Sequence, residues 1–302
     1  MLVLRHRLTP RSIGAAFGQQ EIRSDDLVIC RAQFHGGMFD EVANLPSGRR
    51  GAWSKVRFIL RGRVLTRSRA GDAVLGPGDF VTSVGWDDYW CQALDPTTEY
   101  LLVGWKHGGC VGDRPRREGP MYSARFAGTG DPQARAFDLA DALDQPDDAR
   151  VLRATTLLMT SLADFGYPVA RDAVTAASRT ITMADRRFAH AMESSIFPLT
   201  SRPMAIDLGA ALGIGDRHAM RLAKRFFQRF FVTASGWREY VRGMRLELGV
   251  FLASNAGATT EEVSRALGFA SPTALCHAFH SVGMPSPHEV RRRLARGEPR
   301  RR

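Results

Sequence analysis

Twice in its C-terminal third the sequence sets a short apolar triplet, a glycine-containing turn and a longer amphipathic stretch in the same order. In the first copy Leu208, Ala211 and Leu212 have the i, i+3, i+4 spacing of a buried helix face. Gly213-Ile214-Gly215 supplies the turn, and a longer helix is predicted from Asp216, an acidic residue suited to a helix N-terminus. There Ala219, Leu222, Ala223, Phe226 and Phe230 fall on one stripe, with Arg217, Arg221, Lys224 and Gln228 opposite. In the second copy Val263, Ala266 and Leu267 precede the turn Gly268-Phe269-Ala270. Ser271 is placed to cap the next helix and Pro272 to occupy its first position, where a missing N–H does no harm. Leu275, Ala278, Phe279 and Val282 make its apolar stripe; Thr273, His277 and His280 face away. Between the copies Trp237, Tyr240, Val241, Met244, Leu248 and Phe251 trace one face of a long helix, flanked by Arg238, Arg242 and Arg245.

A helix with one packed face and one cationic face has two readings. It is either an amphipathic helix with a solvated basic side or a helix that enters a DNA major groove. There arginine reads guanine edges in bidentate fashion and lysine holds phosphates. Recurrence of the arrangement favours the second. Charge distribution points the same way, because Ser201–Arg302 holds 17 Lys/Arg against 8 Asp/Glu, whereas the first 200 residues are nearly balanced. Six of those arginines lie in Arg291–Arg293 and Arg300–Arg302, so the tail accounts for part of the surplus.

Thr260–Leu294, with LGFASPTALCHAF at Leu267–Phe279 followed by Pro287 and Arg291, resembles the C-terminal signature of the AraC/XylS family. Arg245-Leu246 matches that family's Arg-Leu pair in its linker helix, and the resemblance covers the C-terminal third. It implies a bacterial regulator whose DNA-binding domain holds two helix-turn-helix units. The resemblance places base-contacting positions at Arg217, Met220 and Arg221 in the first unit and at Thr273, Cys276 and His277 in the second. His218, Lys224, Arg225, Ser271 and His280 complete the candidate DNA-binding set. Met220 and Cys276 are poor hydrogen-bonders and are expected to make apolar contacts or none. Two departures stand out. Gly283 lies one residue ahead of the family's glycine, with Met284 in its place, and Gly215–Arg245 is longer than is common.

The N-terminal part reads as strands. Val56, Phe58 and Leu60 alternate with Arg57 and Arg61, which predicts a half-buried strand. Val64-Leu65-Thr66, the run Phe80–Val84 after the turn Gly76-Pro77-Gly78-Asp79, and Tyr100–Trp105 add others, so a small barrel or sandwich is expected. GDAVLGPGDF at Gly71–Phe80 is similar to the cupin-like sensor barrels that often precede this DNA-binding domain. Trp53, Phe58, Trp86, Trp90 and Trp105 are either effector-binding side chains or core. Arg57, Arg61, Arg63, Arg67 and Arg69 are read as a solvated strand face, the alternative being an acidic ligand.

The expected fold class is α+β, an N-terminal cupin-like β-barrel followed by an all-α domain with two helix-turn-helix units. The expected division is 1–108 sensor or dimerisation domain, 109–184 linker and helical connector, 185–296 DNA-binding domain and 297–302 basic tail. Within the connector Arg150–Asp164 is predicted to be helical, with Leu152, Thr155, Met159 and Leu162 sharing a face. No metal, cofactor or catalytic residue is expected. The histidines before the linker (His6, His35, His107) form no HxH, and no glycine-rich phosphate loop is present. The alternative is a cupin-type enzyme with an accessory nucleic-acid-binding domain; a third reading is an architectural DNA binder without sequence preference. Cys30, Cys91, Cys110 and Cys276 form no CxxC and are read as reduced thiols. Double-stranded DNA is the expected partner; RNA polymerase, a small-molecule effector and a second copy of the chain stay open. No apolar run approaches the roughly 20 residues that cross a bilayer, and Met1–Ile13 lacks a signal peptide's continuous apolar segment, so the cytoplasm is the expected compartment.

Overall fold

A computed structural model describes residues 4–8, 16–23, 27–35, 38–39, 53–68, 71–84, 90–106, 121–123, 131–145, 147–165, 181–196, 205–230, 234–255, 257–282 and 284–296. The architecture is α+β. Eleven strands among the described residues form two antiparallel sheets. The larger has the order β1-β2-β3-β10-β5-β8-β11, from β1 (Leu4–Leu8), β2 (Ala16–Arg23), β3 (Leu27–His35), β10 (Thr97–Lys106), β5 (Trp53–Arg61), β8 (Phe80–Val84) and β11 (Met121–Ser123). The smaller has the order β4-β9-β6-β7, from β4 (Met38–Phe39), β9 (Trp90–Ala93), β6 (Val64–Ser68) and β7 (Gly71–Leu75). The expected barrel is therefore corrected: among the described strands the ladders stay in two sheets and do not close.

β5 also departs from the half-buried strand that its alternation predicts, because every residue from Lys55 to Leu60 is buried. Val56, Phe58 and Leu60 share a core with the helices α1 (Pro132–Leu143) and α2 (Asp148–Asp164). On the other face Ile59 joins Cys30, Ala32 and Tyr100, together with Val64 and Leu75 of the smaller sheet. Arg57 is only 1% exposed, its guanidinium 4.6 Å from the centre of the Tyr100 ring. The expected solvated arginine face is thus not what β5 presents at this position, whereas Arg61 and Arg63 do face solvent.

Turn chemistry explains how the strands meet. At Gly76-Pro77-Gly78-Asp79 the Asp79 carboxylate accepts from Gly76 N at 2.7 Å, and Asp79 N donates to Gly76 O at 2.9 Å. Gly78 adopts φ 107°, which side-chain-bearing residues rarely do.

The predicted helix over Arg150–Asp164 is α2, capped by Asp147 accepting from Ala149 N and Arg150 N. Thr155, Met159 and Leu162 are buried as the spacing requires. Arg31, on β3, joins the sheet to α1. Its Nε donates to Glu99 at 2.6 Å, and its Nη1 donates to Ala140 O at 2.9 Å and lies 2.7 Å from Asp144 at the helix C-cap. A cation is stabilising there, where carbonyls lack intrahelical partners. Burial alone would lower the Arg31 pKa, but Asp144 and Glu99 outweigh it and hold the guanidinium above its ordinary value.

The C-terminal half is helical: α3 (Met183–Ile196), α4 (Ala205–Leu212), α5 (Asp216–Arg229), α6 (Trp237–Ala253), α7 (Thr260–Ala266), α8 (Pro272–His280) and α9 (Pro287–Arg296). No helix among the described residues is long and apolar enough to cross a membrane.

Candidate nucleic-acid interface

α4 and α5 make one helix pair, α7 and α8 another, and their turns share a hydrogen-bond pattern. Gly213 N donates to Ala210 O and Ile214 N to Gly209 O; Gly268 N donates to Arg265 O and Phe269 N to Ser264 O. Gly213 and Gly268 take φ 69° and 67°, the left-handed conformation that ends a helix. In the first pair the close contact is made by Gly209, since a Cβ there would lie 2.8 Å from Ile214 O. This corrects the expected triplet: Leu208 is buried, but Ala211 is exposed and Gly209 takes the packed position.

The second pair starts with a capping box. Thr259 Oγ1 accepts from Glu262 N, and the Glu262 carboxylate accepts from Thr259 N at 2.8 Å. The Thr259 N–H and hydroxyl hold the Glu262 carboxyl below the usual carboxylate range. A folded pKa below the unfolded one stabilises above the unfolded value, and the effect fades as pH falls through the folded one. Glu262→Gln should therefore lower the Tm at neutral pH, and the difference from wild type should close under acid titration. Ser271 accepts from Ala274 N at 3.1 Å and Pro272 occupies the first turn of α8, as the sequence indicates.

Counted from their first residues, α5 and α8 present matching faces. Ala219 and Ala223 are buried in α5 where Leu275 and Phe279 are buried in α8. That common rotation aligns Arg217 with Thr273, Met220 with Cys276, Arg221 with His277 and Lys224 with His280. Arg217, His218, Arg221, Lys224 and Arg225 are exposed and Met220 is half-buried. Among the described residues none of the four cations is in a salt bridge, whereas Arg229 at the end of α5 lies 2.9 Å from Asp185 of α3. On α8 Thr273, His277 and His280 are exposed and Cys276 is half-buried. The Ser271 hydroxyl is engaged as the cap. The structure departs from the expected stripe at Val282, which is 47% exposed because α8 ends at His280 and leaves it beyond the last turn.

α6 holds the two pairs together. Its 17 residues span about 25 Å, and the predicted stripe from Trp237 to Phe251 is buried throughout. Arg245 turns inward: its Nε donates to Leu267 O at 2.6 Å and its guanidinium lies 4.0 Å from the Phe269 ring centre. It thereby fixes the turn of the second pair, a role that sequence reasoning missed. Arg291 on α9 similarly donates to Ala258 O and Thr260 Oγ1 at the start of α7. A Cβ on Gly249 would lie 2.8 Å from the Phe279 ring and 3.0 Å from Leu267. Gly249→Val is expected to cost about 1–3 kcal/mol in chemical denaturation; an unchanged midpoint would contradict this packing. The two halves of the chain meet through an ion pair between Asp148 on α2 and Arg186 on α3.

Of the aromatic effector candidates, Phe58 and Trp105 are fully buried in the core between the larger sheet and α1–α2. Trp86 and the side chains of Trp53 and Trp90 lie outside the described residues, as does the basic tail 297–302. No cluster of potential metal ligands occurs among the described residues.

No family model and no curated protein matches the chain. Solved structures do. A putative glyoxylate-induced protein from Pseudomonas aeruginosa aligns with 35% of this chain at 10% identity and TM-score 0.30, and the alignment spans only 40% of that protein. ToxT from Vibrio cholerae, solved with an unsaturated fatty acid bound, aligns over 88% of this chain and 94% of its own at 13% identity and TM-score 0.33. The AraC-like transcriptional activator CuxR aligns over 77% of this chain and 80% of its own at 15% identity and TM-score 0.34. The alignments with ToxT and CuxR extend over most of this chain.

Proposed function

We propose that the chain is a sequence-specific DNA-binding transcriptional regulator of the AraC/XylS type, acting by binding and not by catalysis. The observation that carries this reading is the repeated helix pair, whose two outer faces share one rotation about their helix axes. In this reading each pair is a helix-turn-helix unit, with α5 and α8 as the reading helices. The exposed cations of α5 displace condensed counterions from the phosphates, and Arg221 reads a base edge. α6 sets the separation of the units so that they enter successive major grooves on one side of a duplex, about one helical turn apart. Residues 185–296 form the DNA-binding domain. The two sheets with α1 and α2 form the part that senses a small molecule or pairs with a second copy.

Selection from a randomised duplex pool tests the proposal. The protein should enrich one sequence and bind it at least about a thousandfold more tightly than unselected duplex at the same salt. Equal affinity for both would leave an architectural binder in its place. Arg221→Ala alone should weaken binding of the selected duplex by about 1–3 kcal/mol, without a change in Tm.

A further inference from the structure

The two reading helices are unequal in one chemical respect. Where α5 carries Arg221 and Lys224, α8 carries His277 and His280 at the equivalent sixth and ninth positions of the helix. The buried pairs Ala219/Leu275 and Ala223/Phe279 fix this correspondence, since they set both helices to the same rotation. α8 contains no lysine or arginine, and both imidazoles are exposed. Permanent cations in one unit are thus replaced by imidazoles in the other.

We infer that duplex binding by the second unit is coupled to proton uptake at His277 and His280, so that the chain grips DNA more tightly as pH falls. The inference rests on the DNA-binding reading above. An imidazolium facing phosphates is stabilised by them, so protonation and binding reinforce each other by linkage.

The charged neighbours leave the two imidazoles available. On α7, Glu261 pairs with Arg265 at 2.8 Å and Glu262 is held by Thr259. On α6, Arg242 donates to Ser281, Arg245 to Leu267 O, and Glu239 accepts from Ser235. On α9, Arg291 is bound to Ala258 O and Thr260, Arg292 lies 4.0 Å from Glu289, and His288 is exposed. Among the described residues no ion pair or side-chain hydrogen bond holds His277 or His280, and both side chains are exposed.

The test uses the full chain and a duplex that the wild-type protein selects from a randomised pool. Affinity is measured at constant ionic strength from pH 8 to pH 6, with unfolding curves confirming the fold at each pH. Wild type should bind about tenfold more tightly at pH 6 than at pH 8, and its log–log salt slope should steepen by about one to two at the lower pH. The double variant H277Q/H280Q should change by less than about twofold over the same range. H277R/H280K, which copies the first unit, should hold the low-pH affinity at pH 8. His190→Gln, at an exposed position of α3 outside the candidate DNA-binding set, should keep the wild-type response. Tight binding that is flat with pH in wild type overturns the inference and leaves the DNA reading intact. A full response that survives in H277Q/H280Q, or is abolished by His190→Gln, also overturns it. No duplex binding at any pH by folded protein overturns both.

Discussion

Replacing Arg221 and Lys224 together with alanine is expected to weaken binding of the selected duplex about a hundredfold and to leave the unfolding midpoint where it was. The magnitude combines a lost base-edge contact with a lost phosphate contact. Both side chains are exposed and in no salt bridge among the described residues, so their removal opens no cavity and strands no buried charge. The salt dependence separates the two contributions. Lys224→Ala alone should lower affinity about equally for selected and unselected duplexes and reduce the log–log slope by about one. Arg221→Ala should erode the preference for the selected sequence. If the double variant bound as tightly as wild type, α5 would not be a reading helix.

The largest expected effect on stability lies at the other end of the molecule. Arg31→Met should lower the unfolding free energy by about 3–5 kcal/mol, read from denaturant midpoints. Arg31 and Glu99 are nearly enclosed, with side chains 9% and 11% exposed, and their oppositely charged atoms lie 2.6 Å apart. Without the guanidinium, Glu99 keeps the Gln33 amide at 3.0 Å, and Ala140 O at the end of α1 loses its side-chain donor. The cost comes mainly from the carboxylate left behind. R31M/E99M should therefore recover much of the loss, because matched apolar groups commonly replace a buried pair without penalty. A loss below about 1 kcal/mol for Arg31→Met would show that the contact between α1 and the sheet does not depend on this pair.

Local signals in the sequence were enough to locate α5 and α8. Asp216 and Pro272 begin α5 and α8, Ser271 caps as expected, and the apolar spacings name Ala219, Ala223, Phe226, Leu275 and Phe279 correctly. The misses are those of tertiary context. Phe227 is buried against Tyr240 of α6, a contact outside the single stripe drawn from 3.6-residue spacing. Gly209 has no side chain for a hydrophobic pattern to register, yet it is where the first turn closes on α4. Arg57 alternates with apolar neighbours as a solvated residue would; only the second sheet, assembled from distant strands, shows that this face is covered. Arg245 reads as a flanking cation until the fold places Leu267 O within reach. The Thr259–Glu262 capping box, by contrast, was available from the T-x-x-E spacing alone.

Hydroxyl-radical footprinting of the selected duplex tests the central claim most directly. Two protected patches should appear on one face of the DNA, about one helical turn apart. The R221A/K224A protein should lose one patch, and a protein with Thr273, Cys276 and His277 replaced by alanine should lose the other. A single patch, or two that vanish together whichever helix is altered, would contradict the assignment of α5 and α8 as separate readers of one duplex.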